Sequence, residues 1–153
     1  MQLSIIAIGR MQRGPEQQLV DEYLKRLPWK SSVTEIEIKK QAANAEERKA
    51  REAERLLAAV PDGAALIVLD ERGRALNSRA FANRIDEWQV AGYNTVAVII
   101  GGADGLHESI HARADLKLGF GTLTWPHMLV RVLLAEQMYR AWSINAGHPY
   151  HRD

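Results

Sequence analysis

The sequence predicts an α/β fold, a mostly parallel sheet with helices on both faces. Short apolar runs alternate with amphipathic helical patterns along the whole chain, the order expected when strands are joined by crossover helices. Two of the runs, residues 64–69 (AALIVL) and 95–100 (TVAVII), are apolar nearly throughout, as strands buried on both faces are. Neither an internal repeat nor a linker interrupts the alternation, so residues 1–153 read as one domain, long enough to enclose a core.

The first strand is the apolar start Met1 to Gly9, which lacks the basic opening and small-residue cleavage site of a signal peptide. A helix over 15–27 carries Leu19, Tyr23 and Leu27 on one face and ends at Pro28. Residues 33–38 read as an edge strand, with Ile36 and Ile38 alternating with Glu35 and Glu37. Asn44 and Glu47 form a capping box for a charged helix reaching about Val60, closed by Pro61-Asp62-Gly63. The central strand over 64–69 follows, then a helix over 78–91 with Phe81, Ile85 and Trp88 on one face and Gly92 at its end. After the strand over 95–100 come a short helix, a brief strand over 116–120, and a long helix over 126–145 that stops at Gly147.

Composition excludes several classes. The chain is 46% hydrophobic and 25% charged, which suits a globular fold and not a disordered one. With 20 Lys and Arg against 19 Asp and Glu, the net charge of +1 provides no global field for nucleic acid, so any such attraction must be local. The absence of cysteine removes disulfides, thiolate zinc sites and cysteine nucleophiles. No apolar run approaches the roughly 20 residues of a membrane span. A soluble, cytoplasmic protein is expected.

Ligands of parallel sheets lie beyond the carboxyl ends of the strands. Three loops are expected there: Asp70-Glu71-Arg72-Gly73, Gly101-Gly102-Ala103-Asp104-Gly105, and the stretch from Gly119 to Pro126. The glycine loop is followed by His107-Glu108-Ser109-Ile110-His111, a match to the H-E-x-x-H zinc signature. That signature needs a sustained helix and a third ligand; here charged neighbours surround both histidines, which suits a solvated helix with surface histidines and no metal site. Gly101-Gly102-x-x-Gly105 is neither a dinucleotide fingerprint nor a phosphate loop, and reads equally as a ligand loop or a tight turn. The third loop is uncharged and mixes apolar groups with hydroxyls, which suits an adenine ring better than a triphosphate.

The last helix combines an apolar stripe (Leu129, Leu133, Leu134, Met138, Ala141) with Arg131, Glu136, Tyr139, Arg140 and Trp142, a surface suited to a partner as well as to solvent. The chain ends His148-Pro149-Tyr150-His151-Arg152-Asp153, a tail of groups that stack on bases, bind phosphate or move protons. The tail follows the helix and is expected to bury little surface.

Taken together, Leu69-Asp70, Ile99-Ile100-Gly101-Gly102 with Gly105-Leu106, Leu123-Thr124 with Pro126-His127 and Leu129-Val130-Arg131, Glu136 with Tyr139-Arg140-Ala141-Trp142-Ser143-Ile144, and His148-Pro149-Tyr150-His151-Arg152 resemble the RlmH family over essentially the whole chain. These are bacterial 23S rRNA pseudouridine N3-methyltransferases of the SPOUT class, and HESIH is not part of their pattern. The resemblance implies a SPOUT domain with a C-terminal trefoil knot and a homodimer packed through its final helices. It implies S-adenosylmethionine held by Leu69, Gly101, Gly102, Gly121, Thr122, Leu123, Thr124, Trp125 and Pro126, with 23S rRNA or the ribosome as partner. His148, Tyr150, His151, Arg152, Arg140 and Arg131 are then the candidates for holding the target base and favouring its N3 anion. Lys25, Arg26, Lys30, Lys39 and Lys40 would supply local attraction for RNA. A different SPOUT methyltransferase, or a non-catalytic ribosome-binding protein on the same fold, are the alternatives.

Overall fold

The computed structural model describes residues 1–38 and 44–153. Five strands form one sheet: β1 (Gln2–Ile8), β2 (Lys30–Ile36), β3 (Ala65–Ala75), β4 (Thr95–Ile100) and β5 (Leu116–Gly119). Their order is β2-β1-β4-β3-β5, and every pairing is parallel. Four helices connect them and a fifth follows β5: α1 (Pro15–Arg26), α2 (Ala45–Ala58), α3 (Ser78–Val90), α4 (Glu108–Arg113) and α5 (His127–Asn145) among the described residues. No helix among the described residues is long and apolar enough to cross a membrane.

The two-residue period of the strands divides the core into two layers. Leu3, Ile5 and Ala7 of β1, Ile67 of β3 and Val96 and Val98 of β4 face one cluster with Phe81, Ile85 and Trp88 of α3 and Leu134, Met138 and Ala141 of α5. The intervening residues Ile6, Leu66, Val68, Ala97 and Ile99 face Ala53 and Leu56 of α2 and Ile110 of α4. Both faces of the central strands are therefore apolar, which explains why their sequences show no alternation. A small third cluster joins Met11, Val20 of α1 and Ala135 of α5.

Helix ends follow their local signals. The Asn44 side chain accepts from the Glu47 amide at 2.8 Å, giving α2 the N-cap expected there. Pro126 lies just outside α5, as its N-cap and not its first residue. At the other end Gly147 takes φ +69°, with its amide on the Ile144 carbonyl and the His148 amide on that of Ser143. This is the Schellman pattern, and it turns the tail back over the helix.

Two expectations need correction. The edge strand begins at Lys30 and ends at Ile36, because pairing with β1 in register from Gln2↔Lys30 extends it through the polar residues Lys30, Ser31 and Ser32. The expected loop 70–73 is instead an irregularity inside β3: pairing with β5 jumps from Leu69↔Leu118 to Arg74↔Leu118, a bulge that bends the strand around the end of β5. Glycine is required there. A Cβ on Gly73 would meet the backbone of Leu118 and Gly119 at 2.5–2.8 Å. Gly73→Ala should lower the stability by about 1–3 kcal/mol, as overpacking against immovable backbone does, read as a lower urea midpoint at unchanged m-value.

Candidate functional site: a cleft at the carboxyl edge of the sheet

The carboxyl ends of β3, β4 and β5 open into a cleft of about 640 Å³, within the range of small-ligand sites. Three segments line it. The first is Leu69 to Arg72 on bent β3, the second Ile100 to Leu106 after β4, and the third Phe120 to Trp125 after β5. Of the residues expected to hold a cofactor, Leu69, Gly101, Gly102, Gly121, Leu123, Thr124 and Trp125 face the cleft, and Thr122 and Pro126 do not.

The glycine turn is held from three sides. Gly105 takes φ +80° and its amide bonds the Gly102 carbonyl at 3.1 Å, closing the turn. From α2, Arg48 pairs with Asp104 at 2.6 Å. A Cβ on Gly101 would strike Leu106 at 2.6 Å, and one on Gly102 would crowd Ile8 and the Glu52 carboxylate at 3.2–3.3 Å. The glycines thus allow tight packing behind the turn while their backbone faces the cleft. Glu52 is buried, and desolvation, reinforced by Asp104 and opposed by Arg48, raises its pKa.

The third side is His127, in the first turn of α5. Its Nε2 lies 2.7 Å from the Gly101 carbonyl; a carbonyl only accepts, so Nε2 carries the proton. One turn later on the same face, Arg131 donates to the carbonyls of Gly9 (2.7 Å) and Ile8 (3.2 Å) and pairs with Glu35 at 2.6 Å. Arg131 was expected to act on a target base. It is 3% exposed and bound to the end of β1, where it braces the fold. Glu35 also accepts from the Met11 amide; burial opposes its ionisation, but Met11 and Arg131 outweigh this and lower its pKa.

The HESIH histidines do not form the zinc arrangement. His107 is the N-cap of α4, with extended backbone, its ring accepting from the Ser109 amide; only His111 lies within the helix. Nor is His111 solvated, as expected: its Nε2 lies 3.3 Å from Asp70 and it lines the cleft. Nδ1 of His111 is buried and has no hydrogen-bond partner among the described residues. Asp70 in turn accepts from the Arg72 amide at 2.7 Å. This Asp70–His111 pair and His127 were missed as site residues, since only the bend of β3 brings Asp70 to α4.

The tail forms a second cluster. Glu136 of α5 is bound by Arg140, with Nε at 3.0 Å, and by the Tyr150 hydroxyl at 2.9 Å. Arg140 also contacts His151 Nδ1 at 3.0 Å and lies over the Tyr150 ring. His148 packs against Trp142 and Tyr139, and Tyr150 meets Tyr139 edge-on at 4.7 Å. Burial, with the hydrogen bonds to Tyr23 and Glu136, pushes the Tyr150 phenol well above its ordinary range, so it stays a donor. The tail is folded onto α5 through these contacts, and none of its residues is fully buried, in keeping with the expectation of little buried surface. Arg152 is exposed. None of these tail groups lines the cleft of its own chain.

His127 makes a pH prediction. Burial first, and Arg131 second, depress its pKa, so the unfolded chain takes up a proton near the ordinary value of about 6.5 while the folded chain resists. Stability attributable to His127 is complete above that value and is lost as the pH falls through it towards the folded pKa. Urea midpoints at pH 7.5 and 5.5 should differ more in the parent than in His127→Gln.

Comparison with known proteins agrees with this geometry. The family model described as "Predicted SPOUT methyltransferase" matches residues 1–151. Proteins named "Ribosomal RNA large subunit methyltransferase H" are 54% identical in Rhodospirillum centenum and 51% in Paramagnetospirillum magneticum, each over 152 residues and 99% of both chains. The counterpart from Sinorhizobium medicae is 46% identical over 159 residues, again covering 99% of both. Among solved structures, a probable methylase family protein from Haemophilus influenzae matches with a TM-score of 0.55 over 99% of this chain and 70% of that one; at 13% identity the likeness concerns the fold. The five-stranded parallel sheet, the cleft at its carboxyl edge and the match along the whole chain place this protein in the SPOUT methyltransferase family, among the relatives of ribosomal RNA large subunit methyltransferase H.

Proposed function

We propose that this chain, as a homodimer, transfers a methyl group from S-adenosylmethionine to N3 of a pseudouridine in the 23S rRNA of the large ribosomal subunit. The observation that carries this reading is a site in two halves, a ligand-sized cleft and a cluster of rings and cations on the tail, with no residue in common. The names of the relatives support methyl transfer to large-subunit ribosomal RNA.

The cleft suits the donor. Its third loop, Phe120 to Trp125, carries no charge and offers backbone groups and apolar surface for an adenine. Asp70 and His111 offer hydrogen-bonding partners to a polar portion of the molecule. When bound, S-adenosylmethionine supplies an electrophilic methyl group on sulfur. Leu69, Gly101, Gly102 and the stretch from Gly121 to Pro126 would hold it, with Thr122 and Pro126 shaping the loop from behind. Holding the acceptor nitrogen in line is then positional catalysis.

The imide N3 of pseudouridine is protonated near neutral pH, so the protein must favour its anion. Arg140 and Arg152 supply positive charge, Tyr150 a neutral donor, and His148 and His151 rings that stack or accept a proton. Glu136 neutralises part of Arg140 and fixes its direction. Because the tail does not reach the cleft of its own chain, the tail of a second copy would complete it. The half-exposed residues of α5, from Leu129 through Val132 and Leu133 to Glu136 and Arg140, provide a surface for that pairing. A ribosomal substrate places this work in the cytoplasm.

Incubation with the donor and large ribosomal subunits lacking the modification should add one methyl group, mapped by mass spectrometry to a pseudouridine; methylation at another base would overturn the substrate assignment. The shared site can be tested by co-expression. Gly101→Val in one chain and Arg140→Gln in the other should each be inactive alone, while mixed dimers regain activity through one intact site. Failure of the mixture, with dimers present by sedimentation, would confine the site to one chain.

A further inference from the structure

We infer that the loop between β1 and α1, Gly9-Arg10-Met11-Gln12-Arg13-Gly14, is a braced arm that binds RNA phosphates beside the cleft through Arg10 and Arg13. The inference rests on the proposed RNA substrate and specifies where that RNA lies.

Position comes first. β1 and β4 are neighbours, but the chain leaves them in opposite directions: β1 leads through α1 to β2 on one side, and β4 through α4 to β5 on the other. Such a divergence opens a crevice at the carboxyl ends of the two strands, where ligands of parallel sheets bind. The glycine turn follows β4 and the Gly9–Gly14 arm follows β1, so both leave the sheet at its carboxyl edge from neighbouring strands. The two touch at their roots, since a Cβ on Gly102 would lie 3.2 Å from Ile8.

The arm is built rather than loose. Gly9 turns the chain at φ +88° while its amide holds the Ile36 carbonyl at 2.9 Å. Arg131 binds the Ile8 and Gly9 carbonyls from beneath. Glu35 takes the Met11 amide at 2.6 Å, and the Met11 side chain is sunk between α1 and α5 with Val20 and Ala135. With Met11 anchored, its neighbours Arg10, Gln12 and Arg13 are exposed.

Charge accounts for the ligand. Arg131, itself buried, is paired with Glu35 and so offers no free charge. Arg10 lies near Glu35 and lines a small polar cleft with Glu35, Glu37 and Arg55, but among the described residues neither Arg10 nor Arg13 is held in an ion pair. Two guanidinium groups fixed on a short arm, with side chains free to reach outward, suit the phosphate oxygens of a polynucleotide. The cations favoured by the sequence lie elsewhere. Lys30 pairs with Gln2 at the amino edge of the sheet, Lys25 and Arg26 end α1 at that same edge, and Arg26 is already paired with Glu22. Lys39 and Lys40 fall outside the described residues.

The test compares Arg10→Gln/Arg13→Gln with Lys25→Gln/Lys30→Gln, using large-subunit rRNA as probe. Each RNA-contacting cation removed should make the slope of log affinity against log salt shallower by about 1. The arm variant should therefore lose about 2, with a raised KM for RNA, unchanged kcat at saturation and unchanged affinity for S-adenosylmethionine by calorimetry. The amino-edge variant should match the parent. If the parent methylates rRNA and the arm variant keeps its slope and KM, this inference falls and the methyltransferase reading stands. A parent that binds no RNA would overturn both, and equal losses in the two variants would show diffuse attraction in place of a defined arm.

Discussion

His127 and Arg131, one turn apart on α5, hold the carboxyl edge of the sheet. Each donates to backbone carbonyls where a strand ends: His127 to Gly101 after β4, Arg131 to Ile8 and Gly9 at the end of β1. These carbonyls have left the sheet ladder and would be costly to bury unpaired. Arg131 also faces a desolvation cost, offset by Glu35 and by two carbonyls. Removing Glu35 would leave the buried Arg131 guanidinium without its carboxylate, which is unfavourable. The positions of the glycine turn, of the arm after β1 and of the start of α5 all depend on this clamp.

The cleft owes its shape to a second constraint, close backbone approach. Gly73 lies against Leu118 and Gly119, which bends β3 over the end of β5 and delivers Asp70 to His111. Gly101 admits Leu106, and Gly102 admits Ile8 and Glu52. In each case the absent side chain is replaced by another part of the protein, so the backbone facing the cleft is supported from behind. A preorganised wall of this kind needs little reordering when a ligand arrives.

Charge is distributed unevenly around the edge. The third loop is neutral, Asp70 and His111 line the cleft, and Arg10 and Arg13 are exposed on the loop after β1. The tail brings Arg140, Tyr150 and His151 together around Glu136, but on α5 and away from the cleft of the same chain. The cleft and this cluster of rings and cations lie on separate surfaces, and the proposed pairing of two chains through the half-exposed stripe of α5 rests on that separation.

Local chemistry made the elements and much of the site readable from sequence. The apolar strands, the Asn44 cap, the Gly92 and Gly147 helix stops and the uncharged third loop each depend on neighbouring residues, and the family motifs lie in the same segments. Other features depended on distant pairing. Lys30 to Ser32 join β2 because β1 supplies hydrogen-bond partners, and residues 70–73 leave and rejoin a ladder that no local signal announces. His111 looked solvated beside charged neighbours until β3 placed Asp70 against it. Arg131 looked available for chemistry until Glu35, 96 positions away in sequence, placed it under the arm. Periodicity and turn residues thus determined which segments are strands and helices and which loops meet at the carboxyl edge. Only the tertiary structure decided which charged groups are buried as braces and which face outward, because that choice belongs to partners far apart in the chain.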